Sequence, residues 1–264
     1  MRHILAAGNR RRLAEIATSR VALVFDFDGT LAPIVDDPAR AELRPRTRAL
    51  LSRAATRFPC AVISGRRRED VARRLSGIDL AFVIGNHGAD WGRPSGGGLG
   101  PELDERALEK RVQSWRARLE RGLGELAGVM VEDKRYALAI HYRRSREKRR
   151  AAEVIAALVS RLPGARVRLG KQVVNLIPEG APHKGIALEE VRRRLACDTA
   201  LYAGDDTTDE DVFALDTPGQ LLTIRVGPSR ASLATYYIED QMEIDELLRT
   251  LLAARPVAAR EILA

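Results

Sequence analysis

Cysteine is scarce in this chain of 264 residues: there are two, Cys60 and Cys197. That excludes a disulfide framework. Cys60 lies in the apolar run Cys60-Ala61-Val62-Ile63, where a buried free thiol in a reducing compartment is expected. Long hydrophobic runs are also missing. No stretch approaches the ~20 apolar residues that span a bilayer, and Met1–Arg20 carries basic residues but no apolar leader core. The expectation is a cytoplasmic protein with no membrane partner. Aromatics are absent from the densest basic cluster, Arg143-Arg144-Ser145-Arg146-Glu147-Lys148-Arg149-Arg150. Without them there is no base-stacking platform. The net charge of +8 is spread over the sequence, so no nucleic-acid partner is expected. Internal repeats are lacking; the sequence leaves the oligomeric state open, with a monomer favoured.

What is present is enough apolar and charged sequence, 45% and 30%, for a folded protein of one large domain or two modest ones. Strands and helices alternate at first: Val21–Phe25, Arg44–Arg57, Ala61–Ile63, Arg66–Ser76 and Ala81–Ile84. This pattern predicts a parallel sheet built from βαβ units. A Gly-rich stretch, Gly92 to Pro101, then punctuates the chain. The order beyond it is helix, two strands, helix, two strands, with short turns, which predicts an antiparallel α+β domain. After Pro178-Glu179-Gly180-Ala181-Pro182 the βα alternation resumes. The expected architecture is an α/β core in two parts, 1–100 and 179–264, with an inserted α+β domain at 101–178. Ligands of open α/β sheets bind at the carboxyl ends of the strands, and an insertion entering there would act as a lid.

Four segments start at those strand or helix ends. Asp26-Phe27-Asp28-Gly29-Thr30 follows the apolar strand Val21–Phe25. Two carboxylates at such a place are costly unless a cation or a reaction uses them. The Gly-Thr turn offers backbone N–H groups to an anion. Ser64-Gly65-Arg66 follows Ile63, where a hydroxyl and a helix N-terminus suit a phosphate oxygen. Lys184-Gly185 opens a helix, although a lysine there opposes the helix dipole unless an anion lies near. Asp205, Asp206, Asp209, Glu210 and Asp211 place five acids in seven residues after the strand Ala200–Ala203. Hard oxygen ligands of this kind suit Mg²⁺. The overall positive charge suits an anionic substrate.

The order D-x-D-G-T, S-G-R, K-G, G-D-D-x-x-D resembles the four-motif set of the haloacid dehalogenase (HAD) phosphatase superfamily. The resemblance implies a HAD-like Rossmannoid parallel-sheet core with a cap domain. It also implies that Asp26 is a nucleophile and Asp28 a general acid and base. Ser64, Gly65 and Lys184 would hold the phosphate, and Asp26, Asp28 and Asp205 would hold Mg²⁺. Asp206 and Asp209 would orient the metal's waters and Lys184.

Several segments resemble, within that superfamily, the trehalose-6-phosphate phosphatase family. They are Asp26 to Ile34, Ile63 to Arg66, Gly85-Asn86-His87-Gly88-Ala89-Asp90-Trp91, Glu132-Asp133-Lys134, His141-Tyr142-Arg143, Gly170 to Val174 and Gly204 to Glu210. By that resemblance the substrate is a small sugar phosphate, and Arg66, His87, Glu132, Lys134, Arg143 and Asn175 are candidate substrate-binding residues. His87 would lie near the core–cap junction, and Glu132, Lys134 and Arg143 would face the distal glucose. Asn175 stands where the family usually has glutamate, and Asp90 where glutamate is common. An amide donates as well as accepts and carries no charge. Phosphates of other glycosyl sugars or polyols therefore stay open as substrates, as does an inactive regulatory module on the same scaffold.

Overall fold

The computed structural model describes residues 1–91, 105–124, 126–170, 172–215 and 219–255. The Gly-rich stretch, the expected start of the following helix at 102–104 and Lys171 lie outside them. By contacts the chain divides into two compact units, Met1–Gly92 with His183–Ala264, and Arg93–Pro182.

The first unit opens with a short strand β1 (Arg2–His3) and helix α1 (Arg10–Thr18). The βα series follows: β2 (Val21–Phe25), α2 (Pro45–Ala55), β3 (Cys60–Ile63), α3 (Arg68–Arg74) and β4 (Phe82–Ile84). The second unit holds α4 (Glu105–Leu123), β5 (Met130–Asp133), β6 (Leu138–His141), α5 (Lys148–Val159), β7 (Ala165–Gly170) and β8 (Val173–Pro178). The first unit resumes with α6 (Lys184–Arg194), β9 (Thr199–Gly204), α7 (Glu210–Phe213), β10 (Leu221–Val226), β11 (Tyr236–Ile238) and α8 (Ile244–Ala254).

The first unit's sheet runs β1-β11-β10-β9-β2-β3-β4, and every pairing is parallel. Helices cover both faces, so central strands read as unbroken apolar runs. All five residues of β2 are buried. On one face Val21, Leu23 and Phe25 share a cluster with Leu13 and Ile16 of α1, Leu50 and Leu51 of α2, and Leu247, Leu248 and Leu251 of α8. Each such side chain contributes about 1.5–3 kcal/mol through burial. On the other side α6 packs against β2 and β3. Because β2 is paired to β9 on one side and β3 on the other, the loops after these three strands meet at one sheet edge. Both cysteines are free and buried, and burial pushes the Cys60 thiol up to about 12.

The second unit's sheet, β5-β6-β8-β7, is antiparallel. Val112, Trp115 and Leu119 of α4 and Ile155 and Val159 of α5 pack on Leu138, Ile140, Val174 and Leu176. Side chains alternate along a strand, so Ala139, His141 and Asn175 point away from those helices. Registry then puts Glu132, Ala139, Asn175 and Arg168 in one row across the four strands. No helix of the described residues is long and apolar enough to cross a membrane.

Candidate active site

Asp26 follows β2, and its N–H donates to the carbonyl of Ala203 in β9 at 2.9 Å. Asp205 lies just past the end of β9. Parallel pairing of Phe25 with Ala203 thus brings the two carboxylates together. Gly29, at φ +77°, makes the close approach possible, because a Cβ there would overlap the Asp205 carboxylate. The Gly29 N–H donates to Ala32 at 2.7 Å, so this amide closes the turn.

Lys184 is the first residue of α6, and the His183 imidazole caps that helix by accepting from the Gly185 N–H at 3.2 Å. The buried Nζ donates to Asp26 Oδ1 and to Asp209 Oδ1, each at 2.7 Å. These two carboxylates are the anions that a lysine in a first helical turn requires. Burial alone would lower the ammonium's pKa, but the charges of Asp209 and Asp26 outweigh it and raise it. Asp209 also accepts from the Tyr202 hydroxyl at 2.6 Å and from the Asp206 N–H at 2.9 Å. Asp206 Oδ1 in turn accepts from the Thr207 N–H at 2.6 Å, which shapes the turn. Tyr202 belongs to no motif; its only sequence signal is a lone phenol in the aliphatic strand leading to the acidic run. Burial and the Asp209 charge raise its pKa, so it stays a neutral donor.

Carboxylate oxygens of Asp26, Asp205 and Asp209 lie within 4.8 Å of one another. Against one ammonium they leave negative charge in excess. Burial, reinforced by Asp209 and Asp205 and opposed by Lys184, raises Asp26 well above the usual carboxylate range. Burial, with Asp209 and Asp206, pushes Asp205 up to about 7. Asp205 Oδ1 is buried with no hydrogen-bond partner. Such an orphaned anionic oxygen beside two more carboxylates fits a hard divalent cation. The donors on Asp209 leave Asp26 and Asp205 as the better ligands.

Ser64 is buried at the end of β3, and its Oγ accepts from the Arg66 N–H at 3.1 Å. His87 is buried as well. Asn86 and His87 both take left-handed backbone, at φ 49° and 57°, and the turn lays the imidazole on Gly65. A Cβ at Gly65 would sit 2.5 Å from His87 Cε1, so any larger residue there would have to displace the imidazole. The His87 N–H donates to the Ser64 carbonyl at 2.9 Å. Arg66 reaches back to Asp28: Nε donates to Oδ2 and Nη2 to Oδ1, both at 2.7 Å.

The remaining candidates belong to the second unit. Glu132 Oε2 lies 2.8 Å from His141 Nε2. Lys134 sits in the turn after β5, where its N–H donates to Ala137 at 3.0 Å. Asp133 fixes that turn by accepting from the Arg135 N–H at 2.7 Å and from Gln113 and Arg116 of α4. Arg143 is exposed in the loop after β6, and Asn175 is buried within β8.

A family profile described as trehalose-phosphatase matches residues 24–241. The chain belongs to the trehalose-phosphatase family. Trehalose-phosphate phosphatase of Mycobacterium ulcerans (strain Agy99) is 35% identical over 241 residues, covering 88% of this chain and 61% of that protein. The probable trehalose-phosphate phosphatase 9 of Oryza sativa subsp. japonica is 30% identical over 280 residues, covering 95% and 75%. This chain spans 61% of the length of the Mycobacterium ulcerans protein and 65% of that of the Mycobacterium avium trehalose-phosphate phosphatase. Among solved structures, the C-terminal domain of Candida albicans trehalose-6-phosphate phosphatase superposes with a TM-score of 0.73 at 24% identity, covering 92% of this chain and 96% of that one. That likeness gives the fold, the HAD-like α/β core the motifs led us to expect.

Proposed function

We infer that the chain is a phosphomonoesterase that hydrolyses trehalose 6-phosphate to trehalose and phosphate. The observation that carries this reading is the buried triad in which Lys184 ties Asp26 to Asp209 beside the orphaned oxygen of Asp205. Family membership supports the substrate.

Asp26 attacks phosphorus, and the bond from phosphorus to the sugar's C6 oxygen breaks. The leaving oxygen takes a proton from Asp28. Water then attacks the phosphorus of the aspartyl-phosphate and loses its proton to Asp28, which releases phosphate and restores both carboxyl groups. The Lys184 ammonium and the Ser64 hydroxyl donate to the phosphoryl oxygens as charge builds on them. Tyr202 and Asp209 keep Lys184 in place. Mg²⁺ held by Asp26, Asp205 and the Asp28 carbonyl would offset the repulsion between carboxylate and phosphate.

Glu132, Lys134, Arg143 and Asn175 would read the sugar, since charged groups bind hydroxyls more strongly than neutral ones. Asn175 supports a second reading, a phosphatase of another glycosyl-sugar or polyol phosphate. Phosphate release from trehalose 6-phosphate, sucrose 6-phosphate, glucosylglycerol phosphate, glucose 6-phosphate and mannose 6-phosphate, with Mg²⁺, tests both. Preference for the first is expected. Preference for another transfers the activity to that ester, and no release from any leaves a regulatory module.

A further inference from the structure

Arg66 has five N–H donors in a rigid fork. Two of them bind Asp28 bidentately. Nη2 also donates to the Pro38 carbonyl at 2.8 Å, and Nη1 donates to Asp70 Oδ2 at 3.0 Å. Four of the five are therefore spent inside the protein. The guanidinium also lies over the Phe27 ring, 5.6 Å from its centroid. Its side chain is 15% exposed, whereas that of Asp28 is 41% exposed.

Asp70 is anchored in turn. It accepts from Arg74 Nε at 3.1 Å and from Arg73 Nη2 at 2.5 Å. Arg74 is buried and donates to the carbonyls of Ala39 and Ala41 and to Glu42. Arg48 then donates to the carbonyls of Arg74 and Ser76. A chain of ion pairs thus runs from the half-exposed Asp28 through Arg66 and Asp70 to the buried Arg74, which hydrogen bonds tie to the backbone. Nothing else among the described residues is seen to hold the Asp28 carboxylate.

We propose that Arg66 is a positioning residue for Asp28, that Asp70 holds Arg66 in that role, and that Arg66 is not a ligand of the substrate's phosphate. This rests on Asp28 being the proton-transfer group of the reaction above. The fork fixes the plane of the Asp28 carboxyl, so that its proton passes to the leaving oxygen and is later regained from water.

The test exploits leaving-group chemistry. A sugar alkoxide needs the proton, whereas p-nitrophenolate leaves without one. The first turnover is followed by rapid mixing, with the sugar phosphate that the wild type hydrolyses fastest and with p-nitrophenyl phosphate. Arg66→Gln is expected to slow the first turnover of the sugar phosphate by about 100-fold, the low end of what general acid–base catalysis contributes. Its KM and the p-nitrophenol burst should stay within about threefold of wild type, since neither needs the proton. Asp70→Asn should give the same split, at about three- to tenfold, because it loosens Arg66 without removing it. Arg66→Lys should not rescue, since an ammonium has no fork. Equal losses on both substrates, or a raised KM, would make Arg66 a phosphate ligand and overturn the proposal. Unchanged rates would overturn it too. If Arg66→Gln fails to fold, the Asp70→Asn split decides alone. A wild type that cleaves neither substrate refutes the phosphatase reading itself, and this inference falls with it.

Discussion

Lys184 Nζ lies 2.7 Å from Asp26 Oδ1, and both side chains are almost wholly buried. In the proposed reaction this pair would hold Asp26 for attack and keep a positive charge where the phosphoryl group arrives. Lys184→Met keeps the side chain out to the ε position and removes the charged amine. It strands Asp26 and Asp209 against each other, and breaking a buried pair in this way costs about 3–5 kcal/mol. Urea unfolding should show that loss, and phosphate release should drop by at least about 100-fold, as for a lost oxyanion donor. A variant as stable and as active as wild type would contradict the assignment.

Mg²⁺ should stabilise the protein, and more so at higher pH. Burial, with the charges of Asp209 and Asp206, pushes Asp205 in the folded chain up to about 7 from an ordinary 3.8. For a carboxyl raised on folding, the stabilising contribution is complete below the unfolded value and is lost as pH rises through the folded one. Metal binding requires the ionised form and opposes that loss. The rise in melting temperature on adding Mg²⁺ is therefore expected to be larger at pH 8 than at pH 5.5, and Asp205→Asn should abolish most of it. An equal rise at both pH values would argue against Asp205 as a ligand.

The contact between Gly65 and His87 makes a separable prediction. Gly65→Ala forces a methyl group into the imidazole and should destabilise by about 1–3 kcal/mol. His87→Ala vacates that space, so Gly65→Ala should cost much less in its background. A double-mutant cycle in urea measures the difference. Additive effects would mean that the crowding is not what keeps glycine there.

Asn175→Glu should move substrate preference within the sugar-phosphate panel, because it exchanges an amide for a charged acceptor in the row that holds Glu132. If trehalose 6-phosphate is already preferred, its KM should fall further relative to the others. A uniform change across the panel would place Asn175 outside recognition.

Much of this was legible in the sequence because three of the four motifs sit just past an apolar run, and the fourth, Lys184-Gly185, opens a helix after a Pro-rich turn. Val21–Phe25 announces a buried strand, so Asp26 must lie at its end. The same logic placed Ser64 after Ile63 and the Asp205 motif after the strand Ala200–Ala203. The order helix, two strands, helix, two strands with short turns marked the antiparallel sheet of the second unit. Other parts are set by tertiary contacts that no local pattern encodes. Helix α1 begins with Arg10-Arg11-Arg12 against its own dipole, and its core-facing residues are only Leu13, Ile16 and Ala17. Strand β1 has two residues and exists through its pairing with Tyr236 and Tyr237. The fork of Arg66 on Asp28 joins residues 38 apart in sequence. Tyr202 acquired its role only when the turn at Asp206 brought Asp209 back over β9.

The central claim is that the Asp26 carboxylate forms the bond to phosphorus. It is tested most directly by mixing the protein with trehalose 6-phosphate and Mg²⁺, quenching in acid within milliseconds, reducing acyl phosphates with borohydride and mapping the peptides. Reduction confined to position 26, appearing and decaying at the rate of phosphate release, is the predicted result. Full-rate phosphate release with no reducible acyl phosphate, or with one on another aspartate, would contradict it.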